Sequence, residues 1–162
     1  MLMALTGTPE AEKEYTFTTP LEHGLSYRLV NPDNPLIRKK LAECYAKLEK
    51  SVQRSKCEEI YNADDLVKRV LRKESDLWVS VDAENNIQGC FIIGFGYMPR
   101  CKMIGAEAIC GKFDFTIVTP VVEKHYKNLG FDFFEMTGRK GWEKVMEPLG
   151  YELKNITVRK RL

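Results

Sequence analysis

The sequence predicts an α+β domain in which six strands and four helices are built around one mostly antiparallel sheet. The chain has 162 residues, of which 44% are hydrophobic and 30% are charged, as in a single soluble globular domain. Three consecutive segments in the middle of the chain alternate apolar and polar residues with a period of two, which is typical of antiparallel strands. The strand–helix–strand segment that follows allows a right-handed parallel crossover.

The first half of the domain contains one predicted strand and two predicted helices. The strand covers residues 25–30 and ends at Asn31-Pro32. A helix is predicted over residues 35–51, with Asn34 as its N-cap and Pro35 at its first position. A second helix is predicted over residues 63–73 with Asn62 as its cap.

The second half contains the predicted sheet centre. Strands are predicted at 76–81, 87–97 and 102–110, and Pro120 marks the start of a helix over residues 119–129. The chain is then predicted to form a strand at 131–136, a helix at 139–148 and a last strand at 151–158. Residues 1–24 are rich in Thr, Pro and Glu and are predicted to form an extended arm ahead of a single domain, residues 25–162.

Composition excludes several classes of protein. A formal net charge of +2 gives no overall reason to expect nucleic-acid binding, and the basic end of the chain, residues 158–162, is predicted to belong to a charged edge strand. Five cysteines without a CxxC pair indicate a reducing compartment with neither a disulfide framework nor a zinc site. No apolar run approaches the ~20 residues of a membrane span, so we expect no membrane partner.

Three segments carry a resemblance to a known family: LWVSVDAENNIQGCFIIGF, EAICGK and EMTGRKGWEKVMEPLGYE. With the order of elements, they resemble the GNAT N-acetyltransferases over residues 25–162, and acetyltransferase-like proteins encoded by bacteriophages in particular. The resemblance implies a three-layer α/β/α arrangement with a mixed sheet of about six strands and four helices. Small internal virion proteins of podophages look similar at the level of fold.

The resemblance also implies where acetyl-CoA would bind. GNAT enzymes hold its pantetheine arm between the splayed fourth and fifth strands, and the loop after the fourth strand wraps the pyrophosphate with backbone N–H groups. The matching residues here are Ile109, Cys110, Gly111 and Lys112. The usual Gly-x-Gly is missing, and Asp114 brings a negative charge to the segment. We therefore expect acetyl-CoA to bind weakly.

Two further positions bear on catalysis. Many family members carry a tyrosine four residues before the closing Gly-Phe, where it protonates the departing CoA thiolate; that position is Met146 here, which has no proton to donate. The position of the family's asparagine is Arg139. Glu107 lies between apolar neighbours on the fourth strand and is the candidate general base, on a face predicted to include Met103, Gly105 and Ile109. The alternative is a strand carboxylate paired with a lysine or a backbone amide.

Two functions remain open at this point. The first is an acetyl-CoA-dependent N-acyltransferase, encoded by a phage, that acts on an unknown amine in the host cytoplasm. The second is a non-catalytic phage protein on the same fold, which acts in the virion, in genome ejection or on a host factor. No metal site is expected in either case.

Overall fold

The structure is a computed structural model that describes residues 13–138, 140–155 and 157–161. Its centre is a six-stranded sheet in the order β1-β2-β3-β4-β5-β6. The strands are β1 (Tyr15–Thr18), β2 (Ser26–Val30), β3 (Ser75–Val81), β4 (Ile87–Met98), β5 (Cys101–Gly111) and β6 (Phe133–Met136). All neighbouring strands are antiparallel except β5 and β6, which are parallel.

Four helices and one 3₁₀ turn complete the described residues. The helices are α1 (Ile37–Ser55), α2 (Ala63–Leu71), α3 (Phe115–Asn128) and α4 (Trp142–Met146), and the 3₁₀ turn Glu147–Leu149 follows α4. None of the described helices is long and apolar enough to cross a membrane.

Two hydrophobic cores lie on opposite faces of the sheet. On one face, α1 and α2 bury residues such as Leu48 and Leu66 against Val79 and Ile92. On the other face, α3 packs against the sheet around Trp78. The layers are therefore helix, sheet and helix, which confirms the predicted α+β three-layer fold with four helices and six strands.

The sheet centre agrees with the sequence prediction. The strands predicted at 76–81, 87–97 and 102–110 form the consecutive antiparallel strands β3, β4 and β5, and the strand predicted at 131–136 lies parallel to β5 as β6. The α2 cap is also as predicted, because the Asn62 side chain accepts a hydrogen bond from the Asp65 amide in a capping box.

The predicted arm contains a strand. Tyr15–Thr18 pairs antiparallel with β2 at the edge of the sheet, so part of this segment belongs to the sheet. Its neighbour Glu14 forms a 2.7 Å ion pair with Lys40 of α1, whose ammonium also lies 5.5 Å from the centre of the Tyr15 ring. Residues 1–12 of the predicted arm lie outside the described residues.

Three helices begin at different residues from those predicted, and one of them is α4, which was predicted to begin at 139 and begins at Trp142. α1 begins at Ile37, because the Asn34 side chain accepts a hydrogen bond from the Leu36 amide and closes a turn before the helix. α3 begins at Phe115, four residues before the predicted start, because Asp114 caps it. Pro120 therefore lies inside α3.

The prediction of a strand at 151–158 was wrong. The described residues of this segment form no strand. Gly150 has a left-handed backbone with φ of 88° and turns the chain as it leaves the 3₁₀ turn. The Tyr151 hydroxyl then donates a 2.7 Å hydrogen bond to Glu123 of α3, and its ring packs against Phe134. These contacts hold Tyr151 against both α3 and β6, without backbone pairing to β6 in the described residues.

Candidate functional site

A cleft opens where β5 and β6 separate. The two strands pair only from Met103 to Ala106 on β5 and from Phe133 to Met136 on β6. Beyond this point β5 continues to Gly111, whereas the other chain leaves the sheet toward α4. The backbone of residues 107–111 on β5 is therefore an edge without a strand partner on this side, in the described part of the chain.

The cleft has little free volume. On the α1 side it is a cavity of about 40 Å³, whose lining includes Ser51, Ser55, Glu107 and Trp142. On the α3 side is a cavity of about 20 Å³ with apolar walls that include Phe113 and Phe115. Ligand pockets usually have volumes of about 300–1,000 Å³. These cavities have room for only a few water molecules.

A β-bulge at Glu107 determines which side chains face each cavity. Ile92 of β4 pairs with Ala108 and Ile93 pairs with Ala106, so Glu107 is the extra residue of β5. Ala108 packs in the core under α1 and α2, whereas Ala106 and Ile109 pack toward α3. The prediction that Glu107 and Ile109 share a face was therefore wrong, because a bulge interrupts the strand period.

The Glu107 carboxylate is held by two side chains. One oxygen forms an ion pair with the Arg69 guanidinium of α2, and the other accepts a 3.2 Å hydrogen bond from the Ser75 hydroxyl. The backbone of Gly94 lies directly under this carboxylate: a Cβ there would come within 2.2 Å of a Glu107 oxygen. Glu107 thus lines the cleft, but its carboxylate is held in an ion pair. This arrangement resembles the alternative role for Glu107, a strand carboxylate that is paired within the chain.

Side chains also occupy the free edge of β5. The Tyr61 hydroxyl donates a 2.8 Å hydrogen bond to the Glu107 carbonyl, and the Ile109 amide donates a 2.9 Å hydrogen bond to the Ser51 hydroxyl. Ser51 is buried within α1 and Tyr61 is half-buried. A strand-like ligand such as a pantetheine arm would have to displace both groups to pair with this edge.

The connection from β5 to α3 consists of only three residues, Lys112, Phe113 and Asp114. Gly111 precedes it with φ of 104°. The Lys112 amide donates a hydrogen bond to the Gln88 carbonyl at 3.2 Å, and the Lys112 carbonyl accepts one from the Ser80 hydroxyl at 2.7 Å. These bonds fix the connection to β3 and β4, and the Lys112 side chain is exposed.

The N-terminus of α3 already carries an anion, the carboxylate of Asp114. One Asp114 oxygen accepts hydrogen bonds from the Thr116 amide at 3.0 Å and from the Thr116 hydroxyl at 2.5 Å. The other lies 3.0 Å from Nδ1 of His23. The bonds from Thr116, and then the one from His23, hold the pKa of Asp114 below its usual range. The Asp114 amide is also used, since it donates a 2.8 Å hydrogen bond to the Tyr27 hydroxyl.

The helix after β6 has no acid at the expected position. Met146 is 3% exposed and packs inward, whereas its neighbour Val145 is 45% exposed. Trp142 is half-buried, and its ring meets Phe115 edge-on at 5.2 Å. Arg139, the position matched to the family's asparagine, lies outside the described residues. α4 therefore closes the cleft with apolar side chains.

Neither a metal centre nor a disulfide is present among the described residues. All five cysteines are free thiols. Cys110 is buried and lies opposite Cys90 in the β4–β5 pair. Of the four residues predicted to contact a cofactor, only Ile109 lines the cleft. Cys110 is buried away from it, Gly111 ends β5, and Lys112 begins the connection that is hydrogen-bonded to β4.

Sequence reasoning missed five residues at this site: Ser51, Tyr61, Arg69, Ser75 and the capping role of Asp114. One signal was available for Asp114, because Asp is among the preferred N-cap residues of helices. Ser51 is a polar residue on the apolar stripe of α1, which also indicates a buried partner. The other three depend on contacts between distant segments.

The chain is similar to known proteins in its three-dimensional fold, but not in a family-level sequence match. No family model matches the sequence, and no curated protein matches it. Among solved structures, a ribosomal-protein-alanine N-acetyltransferase from Brucella melitensis has a TM-score of 0.60 at 11% identity, over 85% of this chain and 99% of that one. A GNAT family acetyltransferase from Staphylococcus aureus has a TM-score of 0.57 at 17% identity, over 86% and 99%.

A third similar structure is an aminoglycoside acetyltransferase from an uncultured soil metagenomic sample, in complex with sisomicin. It has a TM-score of 0.59 at 12% identity and covers 88% of this chain and 99% of that one. The chain therefore has the fold of the GNAT acetyltransferases along almost the whole length of these structures.

The residues at the cleft do not fit acetyl-CoA in the way the resemblance implies. The diphosphate of acetyl-CoA would meet the Asp114 carboxylate at the N-terminus of α3, the end of a helix that normally binds anions. The amides of Lys112, Asp114 and Thr116 already have partners within the chain. The pantetheine arm would find the β5 edge bonded to Ser51 and Tyr61.

Proposed function

We propose that this protein uses the acetyltransferase fold for binding and not for acetyl transfer from acetyl-CoA. The observation that carries the proposal is the Asp114 carboxylate at the N-terminus of α3. A helix N-terminus attracts an anion through its free amides and its dipole. Here an internal carboxylate already makes those contacts, so a phosphate would be repelled from the same place.

Two further features support this proposal. The three-residue connection before α3 is too short to wrap a diphosphate with successive amides, which requires several residues turned toward one point. The buried Met146 leaves the expected acid position without a proton donor. Acetyl transfer from acetyl-CoA would need substitutes for both features.

Calorimetric titration with acetyl-CoA tests the proposal. We expect a Kd of about 1 mM or weaker, near −4 kcal/mol. The Asp114→Asn variant keeps a capping side chain and removes the charge, so it should bind acetyl-CoA more tightly than the wild type. Low-micromolar binding by the wild-type protein would overturn the proposal, because KM values of working enzymes usually lie between about 1 μM and 1 mM.

A second candidate function is an acetyl-CoA-dependent N-acyltransferase that acts on an unknown amine. It is favoured by one observation, the Glu107 carboxylate beside the gap between β5 and β6. In this role Glu107 would accept a proton from the attacking amine. Its ion pair with Arg69 would have to loosen first, since both carboxylate oxygens already have partners.

Replacement of Glu107 tests this second function. If acetyl transfer is detected with any amine, Glu107→Gln should lower the rate of the chemical step by about 10²–10⁴ and leave acetyl-CoA affinity almost unchanged. Glu74→Gln is the matched control, because Glu74 also approaches Arg69, at 3.9 Å, but is exposed. An unchanged rate in Glu107→Gln would assign Glu107 a structural role.

We also propose, from the resemblance to phage-encoded proteins, that the partner is another virion protein or a host factor, and that the protein acts in the reducing host cytoplasm or in the particle. The five free thiols support a reducing environment. Mass spectrometry of purified particles from the source phage would test the virion role, and absence of the protein from them would reject it.

A further inference from the structure

The outer face of α1 concentrates positive charge that the whole-chain average hides. α1 and its C-cap residue Lys56 carry seven basic and two acidic side chains, a net charge of +5, whereas the whole chain has a net charge of +2. The rest of the chain is therefore net negative. The average charge of the whole chain therefore does not describe the potential at this face.

Four of the six basic side chains of α1 lie along one line. Lys39, Lys47, Lys50 and Arg54 are separated by eight, three and four residues, which places them on one side of a helix. Three of them are exposed and Lys47 is half-exposed. At 1.5 Å per residue, the line from Lys39 to Arg54 is about 22 Å long, or about six base-pair steps of a duplex.

These cations are not used within the described parts of the chain. In residues 13–138, 140–155 and 157–161, Lys40 is the only basic residue of α1 that forms a salt bridge, with Glu14 and Glu43. The four residues of the line have no carboxylate within 4 Å among those residues. Their charges therefore remain available to an external anion.

The C-terminal segment adds cations at one end of the line. The Arg161 guanidinium lies 3.2 Å from Glu59, which follows the C-terminus of α1 by a few residues. Arg159 and Lys160 are exposed beside it in the chain. We define the basic face as Lys39, Lys47, Lys50 and Arg54 together with residues 159–161.

We propose that the basic face binds the phosphate backbone of double-stranded nucleic acid, without recognition of the base sequence. Contacts to phosphates require only cations and donors spaced along a surface. A protein partner would instead need aromatic or apolar anchors. The exposed positions beside the cations are Ala42, Ala46 and Gln53, and the one carboxylate among them, Glu43, lies 3.6 Å from the Lys40 ammonium. The exposed ring of Tyr45 lies on the α2 side, beside Asp64.

This proposal goes beyond the proposed function and does not depend on acetyl-CoA. The basic face lies on the solvent side of α1, whereas the cleft is on its buried side, at Ser51. A failure of nucleic-acid binding would therefore leave the argument about Asp114 unchanged, and tight acetyl-CoA binding would leave the basic face unchanged.

Fluorescence anisotropy with a labelled 20-base-pair DNA duplex of arbitrary sequence tests the proposal, as a series in KCl concentration. We expect the wild type to bind with a Kd in the micromolar range at 50 mM KCl. The triple variant Lys39→Gln, Lys50→Gln and Arg54→Gln should bind at least tenfold more weakly. The slope of log K against log salt should shrink by about 2.7, because each lost phosphate contact removes about 0.9.

A matched triple variant controls for net charge. Lys102, Lys124 and Lys127 are exposed lysines of β5 and α3, and their replacement by Gln removes the same charge from another surface. We expect this variant to bind within twofold of the wild type, and thermal melts should confirm that both variants are folded. Absence of wild-type binding at 50 mM KCl, equal weakening in both variants, or tighter binding of polyglutamate than of DNA would overturn the proposal.

Discussion

At the residue scale, Gly111 fixes the direction of the chain between β5 and α3. Its φ of 104° lies in a region that side chains disfavour, and a Cβ at this position would come within 2.3 Å of the Gln88 carbonyl oxygen. The close approach is what allows Lys112 to bond to Gln88. The connection therefore depends on the absence of a side chain.

We expect Gly111→Ala to lower the free energy of unfolding by about 1–3 kcal/mol or more, from the unfavourable backbone conformation and the contact with Gln88. Gly130→Ala is the control, because Gly130 has a φ of 86° but open space around its Cα. Urea unfolding of both variants separates the cost of the backbone conformation, which both share, from the cost of the contact with Gln88, which only Gly111→Ala has. Equal losses would show that the contact with Gln88 is not a constraint.

The two carboxylates near the cleft, Glu107 and Asp114, share one property. Each has partners within the chain for both of its oxygens, Arg69 and Ser75 in one case and Thr116 and His23 in the other. A catalytic base or an anion-binding terminus needs a position left open for the ligand. At both residues the chain fills that position itself.

At the element scale, a buried polar chain fastens α3 to β3. The Trp78 ring nitrogen donates a 3.0 Å hydrogen bond to the Tyr126 hydroxyl, which donates a 2.6 Å bond to Asp76. Tyr126 is 1% exposed. Burial raises the pKa of Asp76, and the bond from Tyr126 opposes that rise. The hydroxyl of Tyr126 is thus the only link between the indole and the carboxylate in this chain of bonds.

We expect Tyr126→Phe to lower the free energy of unfolding by about 1–3 kcal/mol, because it leaves the buried Trp78 donor and the Asp76 acceptor without their partner. Chemical denaturation measures the loss. Tyr97→Phe removes a hydroxyl from a ring that is 69% exposed and should change the stability very little. If Tyr126→Phe behaves like Tyr97→Phe, water replaces the hydroxyl and the polar chain contributes little.

The elements that could be predicted from the sequence are those with strong local signals. β3 and β4 are apolar runs rich in β-branched and aromatic residues, joined by turn residues at 82–86, and Asn62 with Asp65 marks the start of α2. The start of α3 was misplaced because Pro120 is a common first helical residue, yet the Asp114 cap decides it. The bulge at Glu107 left no local signal, since it arises from the pairing of β5 with β4.

The C-terminal segment shows a further limit of local patterns. Residues 151–158 contain several of the β-branched and aromatic residues that are common in strands, but a strand also needs a neighbouring strand with which to pair. The left-handed Gly150 turns the chain, and Glu123 of α3 and Phe134 of β6 hold the Tyr151 side chain without backbone pairing to β6. The arrangement of the cleft, like this segment, depends on contacts between distant residues that no single-sequence pattern contains.

At the scale of the whole molecule, the fold and the site lead to different conclusions. The layers and the strand order match the fold of the acetyltransferases to which the chain is similar. The groups that line the divergence are bonded to each other, and the cavities beside it have volumes of about 40 and 20 Å³. A fold that many functions share does not fix the chemistry at its cleft.

The central claim is that the chain's own groups close the cleft to acetyl-CoA. The most direct measurement is an NMR titration of ¹⁵N-labelled protein with acetyl-CoA up to millimolar concentration, which follows the backbone amides of Ile109, Lys112, Asp114 and Thr116. We predict that these four amide resonances do not move at micromolar acetyl-CoA and show no saturation at millimolar concentration, because each amide is bonded to Ser51, Gln88, Tyr27 or Asp114. Saturable shifts of these amides at micromolar acetyl-CoA would contradict the account.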